Sequence, residues 1–246
     1  SYSSTDYVGH NFGVNSKEIE DTYLRLDKDL ERFFQFLDAE VGVGEYTVFL
    51  TADHGAVEVP AYLQSVKIPA GYLDFNARKK KFTAFLEEKY GTKDIVANVS
   101  NNQIFFNKAK LKELNLNLHE VEQDLVDEQI SYANISKVYT ATTMNSTQFT
   151  SGIEMLLQNG FNQKRSGDVI VVNDIAHIPY GRTGSTHGSG LNYDTHVPLL
   201  FFGKGIKKGE TLQKTVIPDI APTISALLGI SFPNGATGQP LGFVLD

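Results

Sequence analysis

The longest regular hydrophobic pattern of the chain lies between residues 15 and 37. Apolar side chains recur there in steps of three and four residues, which is the period of one face of an α-helix. The stripe consists of Ile19, Tyr23, Leu26, Leu30, Phe33, Phe34 and Leu37. It predicts one long amphipathic helix, which ends before the turn-forming Gly42 and Gly44.

Two short runs of consecutive apolar residues, at 46–51 and at 197–202, predict strands. A continuous apolar run is typical of a strand whose two faces are both covered in a parallel sheet. A further helix is predicted at 218–228, where a proline lies in the first turn and Gly229 follows the last. The pattern favours an α/β fold, with a parallel sheet that carries helices on both faces.

The pattern changes between residues 59 and 177, where shorter elements follow one another. The predicted order is strand, helix, strand, strand, helix and strand, at 68–75, 76–90, 95–99, 103–107, 118–132 and 135–140. This order is typical of a small ferredoxin-like α+β unit, and one more buried strand is predicted at 169–172. We therefore predict that residues 59–177 form an inserted cap subdomain, and that 1–58 and 178–246 together form the core.

The composition narrows the possible partners of the protein. Its 246 residues carry a formal net charge of −7, whereas a nucleic-acid binding protein normally shows a basic face. No apolar run reaches the roughly 20 residues that cross a bilayer, and the absence of cysteine excludes disulfides and thiolate metal sites. We predict neither nucleic-acid binding nor a membrane segment.

Candidate metal ligands are concentrated in three short segments. Asp6 and His10 are four residues apart, so that a helical turn or a tight loop aims both at one point. Asp53 and His54 follow the first predicted strand, at the end of the strand where functional groups of α/β sheets lie. His187 lies in a loop rich in glycine and hydroxyl residues, as is typical of a functional loop.

Aspartate and neutral imidazole are ligands that hold zinc and similar divalent ions in proteins. The segments could supply two neighbouring sites, one with Asp6, His10 and His187 and another with Asp53 and His54. We predict that these five side chains form one bimetallic hydrolase site. Each segment alone could also occur by chance. An aspartate four residues before a histidine, for example, is common in sequences.

The other three histidines are interpreted as non-ligands. His119 falls on the predicted helix at 118–132 and is expected to be a partly exposed surface residue. His177 lies in a polar loop and His196 precedes a predicted strand, so that both are expected to have structural or supporting roles.

The opening segment Ser-Thr-Asp-Tyr-Val-Gly-His, at 4–10, resembles the alkaline phosphatase superfamily. The resemblance is to the C-terminal half of bacterial phosphate-irrepressible alkaline phosphatases, with type I phosphodiesterases and nucleotide pyrophosphatases as close relatives. It covers residues 1–58 and about 178–246, including the segment 194–199. The insert between these parts matches only in position and general type.

The resemblance implies a metal-dependent phosphate monoester hydrolase that works through two zinc ions and a phosphoryl-enzyme. It assigns Asp6, His10 and His187 to the first zinc, and Asp53 and His54 to the second. The implied substrate is a small phosphate ester. The resemblance also implies a periplasmic or secreted location.

The chain departs from the family pattern at its beginning. In this family the nucleophile and a further aspartate ligand precede the Asp-X-X-X-His motif, and this chain starts just before that motif. Thr5, Thr51 and Thr186 lie beside predicted ligands, but none matches the nucleophile motif of the family. We therefore expect no catalytic nucleophile in this chain, an incomplete second zinc site, and a fragment that is inactive by itself.

Two alternatives stay open. The parent enzyme could be a phosphodiesterase or nucleotide pyrophosphatase of the same superfamily, because the groups that distinguish a monoester from a diester would lie mostly upstream. The chain could instead be a non-catalytic metal-binding module. A sheet cut midway would expose an apolar edge, which predicts self-association of the truncated chain.

Overall fold

The computed structural model describes residues 2–246. Its α-helices are α1 (Ser4–Phe12), α2 (Lys17–Glu40), α3 (Pro60–Ser65), α4 (Phe75–Tyr90), α5 (Lys108–Glu113), α6 (Leu118–Gln129), α7 (Ala141–Ser146), α8 (Gly152–Gly160), α9 (Asn192–Thr195) and α10 (Ile220–Leu228). Its strands are β1 (Thr47–Thr51), β2 (Gly71–Tyr72), β3 (Val96–Ser100), β4 (Gln103–Phe106), β5 (Ile135–Thr140), β6 (Val169–Asn173), β7 (His177–Ile178) and β8 (Leu199–Gly203). Short 3-10 turns lie at Ile217–Asp219 and Gly242–Val244. In this described range, no helix has both the length and the apolar character needed to cross a membrane.

The chain packs into two compact units. The larger unit contains the described residues up to 23 and residues 54–196, and the smaller unit contains residues 24–53 and 197–246. One border therefore falls inside α2, and another falls between Asp53 and His54. These borders follow packing density and do not test the predicted division into core and insert, which stays a prediction.

Helix α1 resolves the alternative that the sequence left open, because the segment around Asp6 is helical and not a tight loop. Asp6 lies in its first turn and His10 in its last turn, so that the two side chains share one face of the helix. The helix ends at Gly13, whose φ of 93° favours glycine, and a Cβ there would collide with the side chain of Val59. Gly13 thus ends the helix shortly after the turn that carries His10.

The main hydrophobic core lies in the larger unit, between a four-stranded sheet and two helices. The strand order is β3-β4-β6-β5, and all neighbours are antiparallel. Helices α4 and α6 contribute Phe82, Leu86, Val121 and Leu125, which are almost completely buried in one cluster with the sheet residues. Full burial stabilises each of these side chains by about 1.5–3 kcal/mol. The core thus makes this region of the larger unit a well-packed scaffold.

The prediction of which strands form this sheet is partly wrong. Only two residues of the predicted strand at 68–75 are extended, and β2 pairs in parallel with β7 outside the four-stranded sheet. The central place between β4 and β5 is taken by β6, which is the last of the four strands along the chain. The physical reason is composition: the stretch at 68–75 contains a proline and a glycine, whereas β6 is a fully buried run of valine and isoleucine.

The smaller unit contains a two-stranded antiparallel sheet of β1 and β8. Helix α2 packs on it through Phe34, whose ring centroid lies 6.5 Å from that of Tyr46 and 5.9 Å from that of Phe202. The prediction that these two strands are covered on both faces of a parallel sheet is wrong for the described residues. The strands are antiparallel to each other, and Leu200 and Phe202 are 58% and 59% exposed. A continuous apolar run is typical of a strand whose two faces are covered. In the described residues, the side chains of β1 and β8 are covered only in part.

Candidate metal centre

Three imidazole rings of the larger unit converge on the carboxylate of Asp6. The distance from Asp6 Oδ1 to the Nε2 atom is 3.4 Å for His10, 3.5 Å for His187 and 3.9 Å for His54. Candidate ligand atoms of Asp6, His10 and His187 all lie within 4.8 Å of one another. All four side chains are partly buried, so the group is held by the protein and still reached by solvent.

The four side chains come from three separate parts of the chain. Helix α1 supplies Asp6 and His10, the segment after β1 supplies His54, and the loop between β7 and α9 supplies His187. The ring centroid of His187 lies 5.1 Å from that of His10 and 3.3 Å from that of His54, and the latter two rings are nearly parallel. The fold therefore assembles the cluster from residues that are distant in sequence.

Hydrogen bonds at the far side of two rings determine which nitrogen is available. His10 Nδ1 lies 2.8 Å from the carbonyl oxygen of Ser185, and His54 Nδ1 lies 2.9 Å from that of Gly55. A carbonyl can only accept, so in each neutral ring Nδ1 carries the proton and Nε2 keeps its lone pair. Metal-binding histidines are commonly oriented in this way.

Ser185 links the loop that carries His187 to helix α1 through two hydrogen bonds with His10, one as donor and one as acceptor. Its backbone N–H donates to the carbonyl oxygen of His10 at 3.3 Å, while its own carbonyl accepts from His10 Nδ1. The Ser185 hydroxyl is buried and donates to the carbonyl of Val57. Ser185 therefore holds both His10 and the His187 loop without contacting a candidate ion.

Gly184 lets this loop approach the helix closely. A Cβ at Gly184 would collide with the carbonyl oxygen of His10 and with the ring of Tyr180. The Tyr180 ring stacks on the His10 ring, with centroids 5.6 Å apart. The sequence pattern gave no specific signal for Tyr180, Gly184 or Ser185 beyond the glycine- and hydroxyl-rich character of the loop.

Asp194 is a buried carboxylate that holds the next part of the same loop. Its Oδ2 atom accepts hydrogen bonds from the backbone N–H of Ser189 at 2.8 Å and from the Ser189 hydroxyl at 2.6 Å. Its backbone carbonyl accepts from the N–H of Gly55 at 2.8 Å. A Cβ at Gly55 would collide with the carbonyl oxygen of Tyr193. Asp194 and Gly55 thus connect the segments that carry His187 and His54.

The electrostatic surroundings favour the neutral form of His187. Burial lowers the pKa of this ring, and the neighbouring His54 and His10 lower it further. The carboxylates of Asp6 and Asp194 act in the opposite direction but do not cancel the shift. A lowered pKa leaves the ring unprotonated at neutral pH, which is the form that can bind a metal ion.

The donor set fits a zinc ion. Zinc bonds to histidine nitrogen and carboxylate oxygen are about 2.0–2.2 Å long, and tetrahedral angles therefore place two ligand atoms about 3.3–3.6 Å apart. The separations from Asp6 Oδ1 to His10 and His187 are 3.4 Å and 3.5 Å. Three protein ligands also leave a fourth position open, as in catalytic zinc sites.

The remaining predicted ligand is placed differently. Asp53 is an exposed residue of the smaller unit, whereas the cluster of candidate ligands in the larger unit contains Asp6, His10 and His187. Its role as a ligand of a second ion stays a prediction. His119 is 67% exposed, as expected of a surface histidine, and neither it nor His177 or His196 belongs to that cluster.

This combination defines a mixed α/β protein with a partly buried Asp-His-His group that suits a hydrolytic metal centre. The family model of the type I phosphodiesterases and nucleotide pyrophosphatases matches residues 1–196, and the chain belongs to this family.

Similar proteins include alkaline phosphatase PafA of Elizabethkingia meningoseptica, which is 42% identical over 244 residues that make up 99% of this chain and 44% of that protein. Alkaline phosphatase PhoV of Synechococcus elongatus is 40% identical, over 97% of this chain and 43% of that protein. The crystal structure of wild-type PafA matches with a TM-score of 0.92, over 99% of this chain and 46% of the other. The resemblance to the alkaline phosphatase superfamily is confirmed, and the chain spans less than half the length of these relatives.

Proposed function

We propose that the chain forms the metal-binding part of a zinc-dependent phosphate monoester hydrolase. The observation that carries the proposal is the placement of Asp6, His10 and His187 with separations that suit tetrahedral zinc. The family membership and the similarity to two alkaline phosphatases support phosphate-ester chemistry. The substrate class that we propose is a small phosphate ester.

The residues of the chain have definable tasks in this reaction. Asp6, His10 and His187 would hold the first zinc, and Asp53 and His54 would hold the second. Ser185 keeps His10 in the tautomer whose Nε2 can bind a metal. When bound, zinc supplies positive charge that polarises phosphoryl oxygens and favours the ionised form of a nucleophile.

The chain itself is proposed to be inactive, because none of its residues is assigned as the nucleophile. The relatives named above are more than twice as long as the matched region, and we place the nucleophile in the part that precedes it. A purified zinc-loaded chain should therefore not hydrolyse an aryl phosphate monoester. Phosphatase activity that disappears in His10→Ala would contradict this part of the proposal.

Zinc titration of the metal-free chain tests the first site directly. We expect one tight binding step, measured by competition with a chromophoric chelator. His10→Ala and His187→Ala should each weaken this step roughly 100-fold or more, since loss of a supporting contact alone costs about 10–100-fold. His177→Ala is the matched control, because its Nδ1 contacts the carbonyl of Ile175 and it lies outside the cluster. Equal affinities in all variants would refute the first site.

A second zinc site predicts that loss of His54 affects zinc binding differently from loss of His10 or His187. Its Nε2 atom lies farther from Asp6 Oδ1 than those of His10 and His187. We expect His54→Ala and Asp53→Asn to abolish a weaker second binding step and to leave the first step within about threefold. If His54→Ala weakens the first step as strongly as His10→Ala, the assignment of His54 to a second ion is wrong.

A phosphodiesterase is the second candidate function, favoured by the family model that matches residues 1–196. The full-length protein that contains this chain would decide between the two. The ratio of specificity constants for p-nitrophenyl phosphate and bis(p-nitrophenyl) phosphate measures the preference directly. A preference for the monoester supports the phosphatase, and a preference for the diester supports the phosphodiesterase.

We also propose that further strands join β1 and β8 in a larger sheet in the full-length enzyme, in which these two strands keep their antiparallel pairing. The exposed apolar side chains of Phe49, Leu200 and Phe202 support this, because such surface is normally covered. A structure of the full-length protein tests it. The proposed periplasmic or secreted location follows from the resemblance, and fractionation of cells that express the full-length protein tests it.

A further inference from the structure

A second concave site lies in the larger unit and is built from residues that the candidate metal centre does not use. The cavity has a volume of about 580 Å³, which is within the usual range for small-molecule sites. Its walls combine the apolar Phe105 and Leu118 with the charged Glu122, Lys164 and Arg165. A mixed wall of this kind can both cover an organic molecule and fix its orientation.

Glu122 is the least exposed charged group of this cavity, with a relative exposure of 1%. Its Oε2 atom accepts hydrogen bonds from the hydroxyl of Thr142 at 2.5 Å and from the backbone N–H of Thr142 at 3.3 Å. Its Oε1 atom accepts no hydrogen bond from the part of the chain that the structure describes. Because Glu122 lines the cavity and Oε1 keeps its accepting capacity, a donor group of a molecule inside the cavity could bond to it.

His119 lies too far round the carboxylate to place a positive charge beside Glu122 Oε1. His119 Nδ1 donates to the Thr142 hydroxyl and lies 3.9 Å from Oε2, on the side that is already bonded. The wall residue Lys108 is paired with Asp168. Glu122 is therefore a buried carboxylate whose second oxygen lacks a cationic partner among the described residues.

Lys164 and Arg165 provide the opposite charge on the same cavity. Both are exposed residues of the loop before β6, and neither forms an ion pair within residues 2–246. In a chain with a net charge of −7, two adjacent unpaired cations on a cavity wall are a specific local feature. Arginine and lysine bind phosphate-like and carboxylate groups through charge-assisted hydrogen bonds.

We propose that this cavity binds a small zwitterion, with its anionic group at Lys164 and Arg165 and its ammonium group at Glu122. The apolar side chains of Phe105 and Leu118 would cover the short carbon chain between the two groups. The proposal is independent of the proposed hydrolase function, since it uses none of the candidate metal ligands.

2-Aminoethylphosphonate is a suitable probe, because it carries both charges and its carbon–phosphorus bond is not an ester. Calorimetric titration of the chain, with EDTA present to keep the metal centre empty, should show saturable binding of one molecule. Ethylphosphonate and 2-hydroxyethylphosphonate lack the ammonium group and should each bind about tenfold more weakly, because one charge-assisted hydrogen bond is lost. Absence of binding, or equal affinity for the three probes, overturns the proposal.

Variants locate the bound probe. Arg165→Gln should weaken binding about tenfold, whereas the exposed Lys80→Gln on α4 should leave it unchanged. Glu122→Gln should remove the preference for the ammonium probe over the hydroxyl probe, and the circular dichroism spectrum shows whether this variant folds. If it does not fold, the Arg165→Gln comparison still decides. Amide NMR shifts at 162–168 support the site, and shifts confined to 185–189 contradict it.

Discussion

At the scale of single residues, the ring of His187 is placed as a metal ligand would be and has a lowered pKa. Burial, followed by the charge of His54, lowers the pKa of His187 from its ordinary value of 6.5. We therefore expect the ring to titrate below pH 6.5 in the metal-free chain, as measured by NMR of the histidine ring protons. The His187→Gln variant assigns the resonance. A midpoint above that of an ordinary histidine would contradict the electrostatic account.

The same shift makes stability depend on pH. Because the folded pKa lies below the unfolded pKa, the unfolded state of the chain binds the proton more readily. The contribution of neutral His187 is therefore complete above about pH 6.5 and is lost as the pH falls through the lowered folded value. Metal-free His187→Gln should lose less unfolding free energy than the unchanged chain when the pH is lowered from about 7.5 to about 5.5.

Glu154 forms a second pH-dependent contact, between α8 and β5. Its carboxylate accepts hydrogen bonds from Lys137 Nζ and from the Tyr139 hydroxyl, and these bonds lower the pKa of Glu154 to about 2. Its stabilisation is therefore present above about pH 4.5 and is lost as the pH falls towards about 2. Glu154→Gln should lower the free energy of unfolding by up to about 1 kcal/mol at pH 7.

The pair of Lys110 and Glu113, of which only the glutamate is exposed, provides the comparison. Glu113→Gln removes an ion pair of similar spacing whose carboxylate side chain is 65% exposed, so its effect should be close to zero. Denaturant unfolding at several pH values measures both variants. Identical losses for the two substitutions would show that the Glu154 contact is no stronger than a surface pair.

At the scale of elements, the close approach between α1 and the His187 loop should control metal affinity. Gly184→Ala places a methyl group where the His10 carbonyl and the Tyr180 ring lie, and the loop must move away from α1. Since Ser185 and His187 follow directly, we expect zinc affinity to fall about 10–100-fold, the usual cost of losing support for a ligand. Chelator competition measures this change.

Gly181→Ala is the matched control in the same loop. A Cβ at Gly181 meets no atom within 4 Å, and its backbone does not have a positive φ. Its zinc affinity should therefore equal that of the unchanged chain. A similar loss in both variants would show that general loop mobility, and not the contact at Gly184, determines affinity.

Much of the local structure could be predicted from the sequence, because periodicity is a local property. The predicted helix at 15–37 corresponds to α2, and the one at 118–132 corresponds to α6. Strand pairing could not be predicted in the same way. The apolar run of β6 identified it as a buried strand, but nothing in the local pattern showed that it would replace the stretch at 68–75 in the sheet.

The candidate site shows the same limit. That Asp6, His10 and His187 lie together was predictable, because few residue types bind zinc and the four-residue spacing of Asp6 and His10 is informative. Ser185 and Asp194 were not identified as site residues. Ser185 orients His10 through a backbone carbonyl, a group that every residue has, so its identity alone gives no signal. Asp194 acts on a loop backbone from a position that only the fold brings close.

At the scale of the whole chain, uncovered apolar strands should cause association. Leu200 and Phe202 of β8 and Phe49 of β1 are exposed in the smaller unit, and apolar patches on sheet strands are typical association surfaces. We expect sedimentation velocity to show concentration-dependent oligomers. Leu200→Lys should raise the dissociation constant about tenfold or more, since it introduces a charge at the contact.

Ile175 offers a control for this experiment. It is 66% exposed but lies in the larger unit, in the turn between β6 and β7. Ile175→Lys changes the net charge by the same amount and should leave association unchanged. A monodisperse monomer at all concentrations would refute association through β1 and β8.

The late position of β6 in the chain also determines when the sheet of the larger unit can be completed. On the ribosome, β3, β4 and β5 are all made before the strand that separates β4 from β5. Until residue 173 emerges, the β3–β4 hairpin and β5 each present an unpaired edge. Pairings of such large sequence separation form slowly, so the nascent chain exposes these edges to aggregation during this interval.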